Sequence, residues 1–170
     1  MTAAPRCFRS GRHDLPTAVH ARSLHCIIAG SPLRGCDSTN MDVANAVPVL
    51  VVEDEIMVSM IIEEALSDGG YHVTTARTAD WALAHLASGD VGFRALVTDI
   101  RLEGRMTGWD IARRARELRP DVAVVYVSAD SGAKWPSLGV PGSRFIQKPF
   151  TIDQIVTAVS SLLSRTSPET

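Results

Sequence analysis

From Pro48 onward the chain alternates between short apolar runs and longer segments whose apolar residues recur at helical spacing. The first run, Val49-Leu50-Val51-Val52, has no polar interruption, as a parallel strand covered on both faces requires. Val58, Ile61, Ile62, Ala65 and Leu66 then share one helical face, which Gly69-Gly70 stops. Tyr71 to Ala76 is short and β-branched, and predicts a second strand. Thr78 can cap a helix whose inward face is Ala79, Ala82, Leu83, Leu86 and Ala87. Ala95 to Thr98 makes a third strand. Beyond a polar, Gly-containing loop, Thr107 can cap a helix with Ile111, Ala112, Ala115 and Leu118 inward, closed by Pro120. Val122 to Val127 predicts a fourth strand.

The rhythm then breaks. Residues 131–142 hold two prolines and three glycines, which excludes a full helix there. A short fifth strand, Arg144 to Gln147, follows, then a helix capped by Thr151 with Ile152, Ile155, Val156, Val159 and Leu163 on one face. Strand and helix alternating five times, with right-handed crossovers, predict an α/β fold built on a doubly wound five-stranded parallel sheet. The expected strand order is 2-1-3-4-5, the flavodoxin-like arrangement, with a degenerate fourth helix.

In such sheets, ligands sit beyond the C-terminal ends of the strands, at the point where strand order reverses. Here the strands end on chemistry. The first runs into Glu53-Asp54-Glu55, the third into Asp99, the fourth into Ser128, and the fifth delivers Lys148 ahead of Pro149. Glu53, Asp54 and Asp99 are expected to converge in one crevice, where their mutual repulsion calls for a cation. Oxygen ligands from carboxylates suit Mg2+, which keeps the rest of its octahedron for water and phosphate oxygens. Asp99 is then a candidate nucleophile toward phosphorus, with Lys148 supplying positive charge and Ser128 a hydroxyl donor.

Val51-Val52-Glu53-Asp54-Glu55, Leu96-Val97-Thr98-Asp99, Val127-Ser128-Ala129 and Lys148-Pro149-Phe150 resemble, in order, the four signature segments of the response-regulator receiver domain of two-component signalling. The resemblance covers residues 48 to about 164 and suggests the stand-alone, single-domain type. It implies that Asp99 is the phospho-acceptor, charged by a phosphohistidine on a sensor histidine kinase or phosphotransfer protein. It also implies that Asp54, Asp99 and the backbone carbonyl of Arg101 bind Mg2+ directly and that Glu53 holds it through water. Ser128 and Phe145 take the positions of the family's switch residues, and Lys148 that of its phosphate-pairing lysine. Phosphorylation would shift a pre-existing conformational equilibrium and signal to a downstream protein.

Two departures from the family pattern stand out. The loop Leu102 to Gly108 is longer than usual and lacks the customary proline. The Pro- and Gly-rich segment 131–142 replaces the fourth helix, part of the family's usual output face, where a phosphorylation-linked dimer is one implied outcome.

Composition narrows the field further. At 170 residues and 45% apolar content the chain carries one real core. Residues 1–40 hold five Arg and two Asp, net +3, against 12 basic and 17 acidic side chains in residues 41–170, net −5. An acidic domain argues against nucleic-acid binding by that part. No run of about 18 apolar residues exists, so no membrane span is expected. Residues 1–46 read as a disordered arm, with Met41 as an alternative start; 47–164 form the domain, and 165–170 are expected to fray. Cys7, Cys26 and Cys36 make a poor disulfide framework, and with His13, His20 and His25 they match no paired zinc spacing. A reducing cytoplasm fits. Trp81, Trp109 and Trp135 read as packing or exposed residues, and His72 and His85 as solvated ones.

Rival readings each meet an obstacle. A magnesium-dependent phosphohydrolase places a second acid two residues after its aspartate, where this chain has Arg101, so slow loss of phosphate to water is expected rather than enzymatic turnover. A flavodoxin-like cofactor binder needs a Gly/Ser/Thr-rich phosphate loop after the first strand, where Glu53-Asp54-Glu55 would repel phosphate. A receiver-fold interaction module without phosphorylation leaves the full set of acids, hydroxyl and lysine without a use.

Overall fold

The computed structural model describes residues 46–166. The expected N-terminal arm, the alternative start at Met41, the three cysteines and the last four residues lie outside them. In chain order the elements are β1 (Val47–Val52), α1 (Ile56–Asp68), β2 (Tyr71–Ala76), α2 (Ala79–Ser88), β3 (Ala95–Asp99), α3 (Gly108–Leu118), β4 (Ala123–Ser128), α4 (Trp135–Leu138), β5 (Arg144–Gln147) and α5 (Ile152–Thr166). All strand pairs are parallel and the order is β2-β1-β3-β4-β5, as expected. The adjacent strands β1 and β3 flank the switch point.

Alternation along the strands builds two cores, one on each face of the sheet. Leu50, Val52, Leu96, Val124 and Tyr126 point to the side covered by α2 and α3, where Ala82, Trp109, Ile111, Ala112 and Ala115 meet them. Val49, Val51, Val97, Val125 and Val127 point to the other side, against Ile62 and Leu66 of α1 and Ile155, Val159 and Leu162 of α5. With both faces covered, the inner strands must be largely apolar, which is why periodicity of two is invisible in β1, β3 and β4.

The helix faces differ from expectation at their margins. Ile61 of α1, Ala87 of α2, Leu118 of α3 and Ile152 of α5 are exposed rather than inward. In their place Ser59, Trp109, Ala158 and Leu162 are buried. Helical spacing identifies which residues share a stripe. It does not say which edge of the stripe the sheet covers. Trp81 is exposed and Trp109 buried, with the latter's ring centroid 4.4 Å from that of Tyr126.

At α2 and α3 the expected threonine caps are in place. Thr78 Oγ1 accepts from the Trp81 amide at 3.3 Å. At α3, the Thr107 amide and hydroxyl both donate to Asp110 Oδ2, at 2.9 and 2.7 Å, within a reciprocal capping box. These bonds hold the Asp110 carboxyl below the usual carboxylate range.

The segment expected to lack a full helix contains only a 3-10 turn, Gly132–Lys134, and the four-residue α4. So short a piece has little backbone bonding of its own, and side chains hold it. Trp135 Nε1 donates to Ser143 Oγ at 3.1 Å, and Ser143 Oγ donates to the Val140 carbonyl at 2.6 Å. The Val140 amide donates to the hydroxyl of Tyr126, which is fully buried at the centre of β4. Burial pushes that phenol's pKa up and keeps it neutral. Tyr126→Phe would leave the buried Val140 amide without a partner. We expect a loss of about 1–3 kcal/mol in urea unfolding, with the denaturant slope unchanged.

Candidate functional site

The strand register brings the polar strand ends to one rim. Val52 pairs with Thr98, so Glu53 is level with Asp99 across β1 and β3. Asp99 pairs with Val127, and Ser128 with Gln147, so Ser128 and Lys148 follow on the next two strands. Glu53, Asp99 and Ser128 are buried at 1%, 8% and 1% exposure. Asp54 is half-buried beside them.

Lys148 lies at the centre. Its Nζ donates to Asp99 Oδ2 at 2.7 Å and to Glu53 Oε2 at 2.8 Å. It emerges from β5 just before a cis Lys148–Pro149 peptide, and its amide donates to the Ser128 carbonyl at 2.9 Å. The second oxygen of Asp99 accepts from the Arg101 amide at 2.9 Å, and Glu53 Oε1 from the Glu55 amide at 3.4 Å. Asp54 Oδ2 accepts from the Glu103 amide at 2.9 Å, which ties the long loop after β3 to the loop after β1. Gly108 closes this loop against the strand. A Cβ there would overlap the Asp99 carbonyl oxygen, so only glycine permits α3 to start so close to β3.

Electrostatics follow from crowding. Burial pushes the Glu53 carboxyl up to about 7, and the charge of Asp99 adds to this, against the opposing pull of Lys148. For Lys148, burial alone would lower the ammonium's pKa. Its bonds to Asp99 and Glu53, with their charges, outweigh that and leave it raised.

Oxygens of Glu53, Asp54 and Asp99 lie within 4.8 Å of one another. Lys148 bonds Glu53 and Asp99 while Asp54 is held by a backbone amide, so three carboxylates face one ammonium. An all-oxygen donor set with excess negative charge fits a hard divalent cation.

The structure thus gathers Glu53, Asp54, Asp99 and Lys148, all named from the sequence. Ser128 is on the same rim, but its hydroxyl donates to Ser131 Oγ at 3.1 Å rather than to an acid. Arg101 lies two residues beyond Asp99 in the loop, with its guanidinium paired to Asp130. Phe145 is half-buried, with its ring centroid 6.4 Å from that of Trp135. Sequence reasoning overlooked Ser131 and Asp130. Their only signal was position, Asp130 two and Ser131 three residues beyond Ser128.

A doubly wound parallel sheet with an acid-and-lysine crevice at its switch point defines a class of aspartate-centred α/β domains. Residues 49–160 match the model of the response regulator receiver domain, and the chain belongs to that family. Over 118 residues it is 31% identical to the nitrogen assimilation regulatory protein NtrX of Azorhizobium caulinodans, covering 68% of this chain and 26% of that one. The probable transcriptional regulatory protein TcrX of Mycobacterium tuberculosis is 30% identical over 126 residues, covering 73% and 53%. The chain therefore spans about a quarter to a half of these curated relatives. Among solved structures, a response regulator receiver protein from Sinorhizobium medicae superposes with a TM-score of 0.70 at 39% identity, covering 73% of this chain and 99% of that one. Among the described residues, no helix is long and apolar enough to cross a membrane.

The Glu53 carboxyl predicts a pH-dependent stability. Its folded value, about 7, lies above the ordinary 4.5, so between these the folded state holds more protons than the unfolded chain. Metal-free protein should lose stability as pH rises from about 4.5 to 7 and then level off. Urea unfolding in chelator should show this fall in the wild type and a flatter profile in Glu53→Gln. Added magnesium should offset the fall.

Proposed function

We propose that this receiver accepts a phosphoryl group on Asp99 from a phosphohistidine of a sensor histidine kinase or phosphotransfer protein. The observation that supports this most is Lys148 held by both Glu53 and Asp99 at the switch point of the sheet. An Asp99 carboxylate oxygen forms the new O–P bond as the P–N bond to the donor imidazole breaks, and the departing imidazole takes a proton from solvent. Glu53, Asp54, Asp99 and the backbone carbonyl of Arg101 would hold Mg2+, which when bound neutralises carboxylate and phosphoryl charge together.

The remaining residues carry the consequences. Lys148, already on Asp99 Oδ2, is placed to follow the charge onto a phosphoryl oxygen. Ser128 turns its hydroxyl to another. The arrangement that satisfies both donors is then favoured, and Phe145, beside the short α4, responds as the switch aromatic.

The partner acts at the crevice rim. Ile56, Met57, Met60 and Ile61 are 43–65% exposed on α1, which starts just beyond Glu55, and an apolar patch of this kind suits protein docking. Arg101 stands where a phosphohydrolase would place its second acid, so the chain serves as a phosphoprotein that signals to a downstream protein and not as a turnover enzyme. The expected setting is the cytoplasm.

Incubation with acetyl phosphate and magnesium should add one alkali-labile phosphoryl group, read by intact mass. Asp99→Asn should take up none, and Lys148→Ala should label about 100-fold more slowly. Equal labelling of Asp99→Asn, or none of the wild type, would overturn the acceptor role.

A further inference from the structure

We infer that Ser131 is a positioning residue for the acceptor site: it holds the Ser128 hydroxyl in the resting arrangement and so sets how readily Ser128 turns to a phosphoryl group. This rests on the acceptor reading of Asp99. Ser128 and Ser131 are both buried, at 1% and 7% exposure. Ser131 Oγ donates to Asp130 Oδ1 at 3.3 Å, and the other oxygen of Asp130 is paired with Arg101. A carboxylate only accepts, and a serine hydroxyl has one proton to give. The Ser131 proton is therefore committed to Asp130, which leaves Ser131 Oγ as the acceptor for Ser128, at 3.1 Å.

That direction has a consequence. While the Ser128 proton points to Ser131 it is not available to a phosphoryl oxygen. Turning to phosphate breaks a hydrogen bond between two buried groups, which solvent replaces only in part during the turn. Ser131 thus opposes the active arrangement, and the strength of its bond sets part of the resting bias.

The same residue touches the rest of the switch through the backbone. Its carbonyl accepts from the Lys134 amide at 3.0 Å, opening the 3-10 turn that leads into α4. Gly132, next in the chain, lies against Phe145; a Cβ there would sit 2.9 Å from the ring's Cε1. The residue that restrains Ser128 is thus bonded to the backbone on which the aromatic rests.

The test is beryllofluoride binding at saturating magnesium, followed by fluorine NMR on the full chain. Ser131→Ala should bind about tenfold tighter than wild type, equivalent to about 1.4 kcal/mol. Ser131→Cys, whose sulfur accepts weakly, should move the same way by less and serves if the alanine variant is unstable. A residue needed only for packing would weaken binding when removed. In a Ser128→Ala background the tightening should vanish, because nothing remains to be released. Unchanged or weaker binding by the Ser131 variants, or a tightening that persists without Ser128, would overturn the inference while leaving the Asp99 reading intact. Failure of the wild-type protein to bind at all would overturn both.

Discussion

One ammonium shared by two buried carboxylates is the constraint on which the site depends. Lys148 Nζ lies within 2.8 Å of both Glu53 and Asp99, and Asp54 stands beside those two acids with its oxygen within 4.8 Å of theirs. Buried charges are costly unless paired, and removing one partner of such a pair typically costs about 3–5 kcal/mol. Three carboxylates against one ammonium leave the crevice balanced only in part, and burial adds to the cost of ionising Glu53 by pushing its carboxyl up. That residual negative charge is what makes the pocket receptive to a cation. The same lysine, held so near Asp99, is available to any negative charge that forms there.

The two-sided core makes that balance possible. Strands buried on both faces cannot slip by one residue without exchanging their two packed sets of side chains, so register is held firmly. Register in turn places Glu53 level with Asp99, and Ser128 and Lys148 on the next two strands. Gly108 completes the arrangement by letting α3 start against the Asp99 carbonyl. Packing far from the rim thereby sets distances at it.

The side of the sheet beyond β4 is built differently. Where a full helix would bring its own hydrogen bonds, the short α4 is held by Tyr126, Trp135 and Ser143. Phe145 and Trp135 lie here, close to Gly132 and the Ser128–Ser131 pair. A segment secured by a few side-chain bonds has fewer local ties than a helix of several turns. It is therefore the part of the domain where the proposed change between two arrangements would meet least resistance.

The strand-helix alternation and the broken fourth helix were legible along the chain, because apolar runs, helical spacing, Pro and Gly act locally; the strand order came from the few arrangements open to a doubly wound sheet. So were Glu53, Asp54, Asp99, Ser128 and Lys148 as candidates, since each terminates an apolar run. Which edge of each helical stripe the sheet covers was not, as Ile61, Leu118 and Ile152 show by their exposure. Nor was the partner of each polar group: Lys148 on both acids, the Glu103 amide on Asp54, Ser128 on Ser131. Secondary structure is decided by neighbours within a few residues. Hydrogen-bond partners 49 or 95 residues apart are decided only when strand register and loop path bring them within 3 Å.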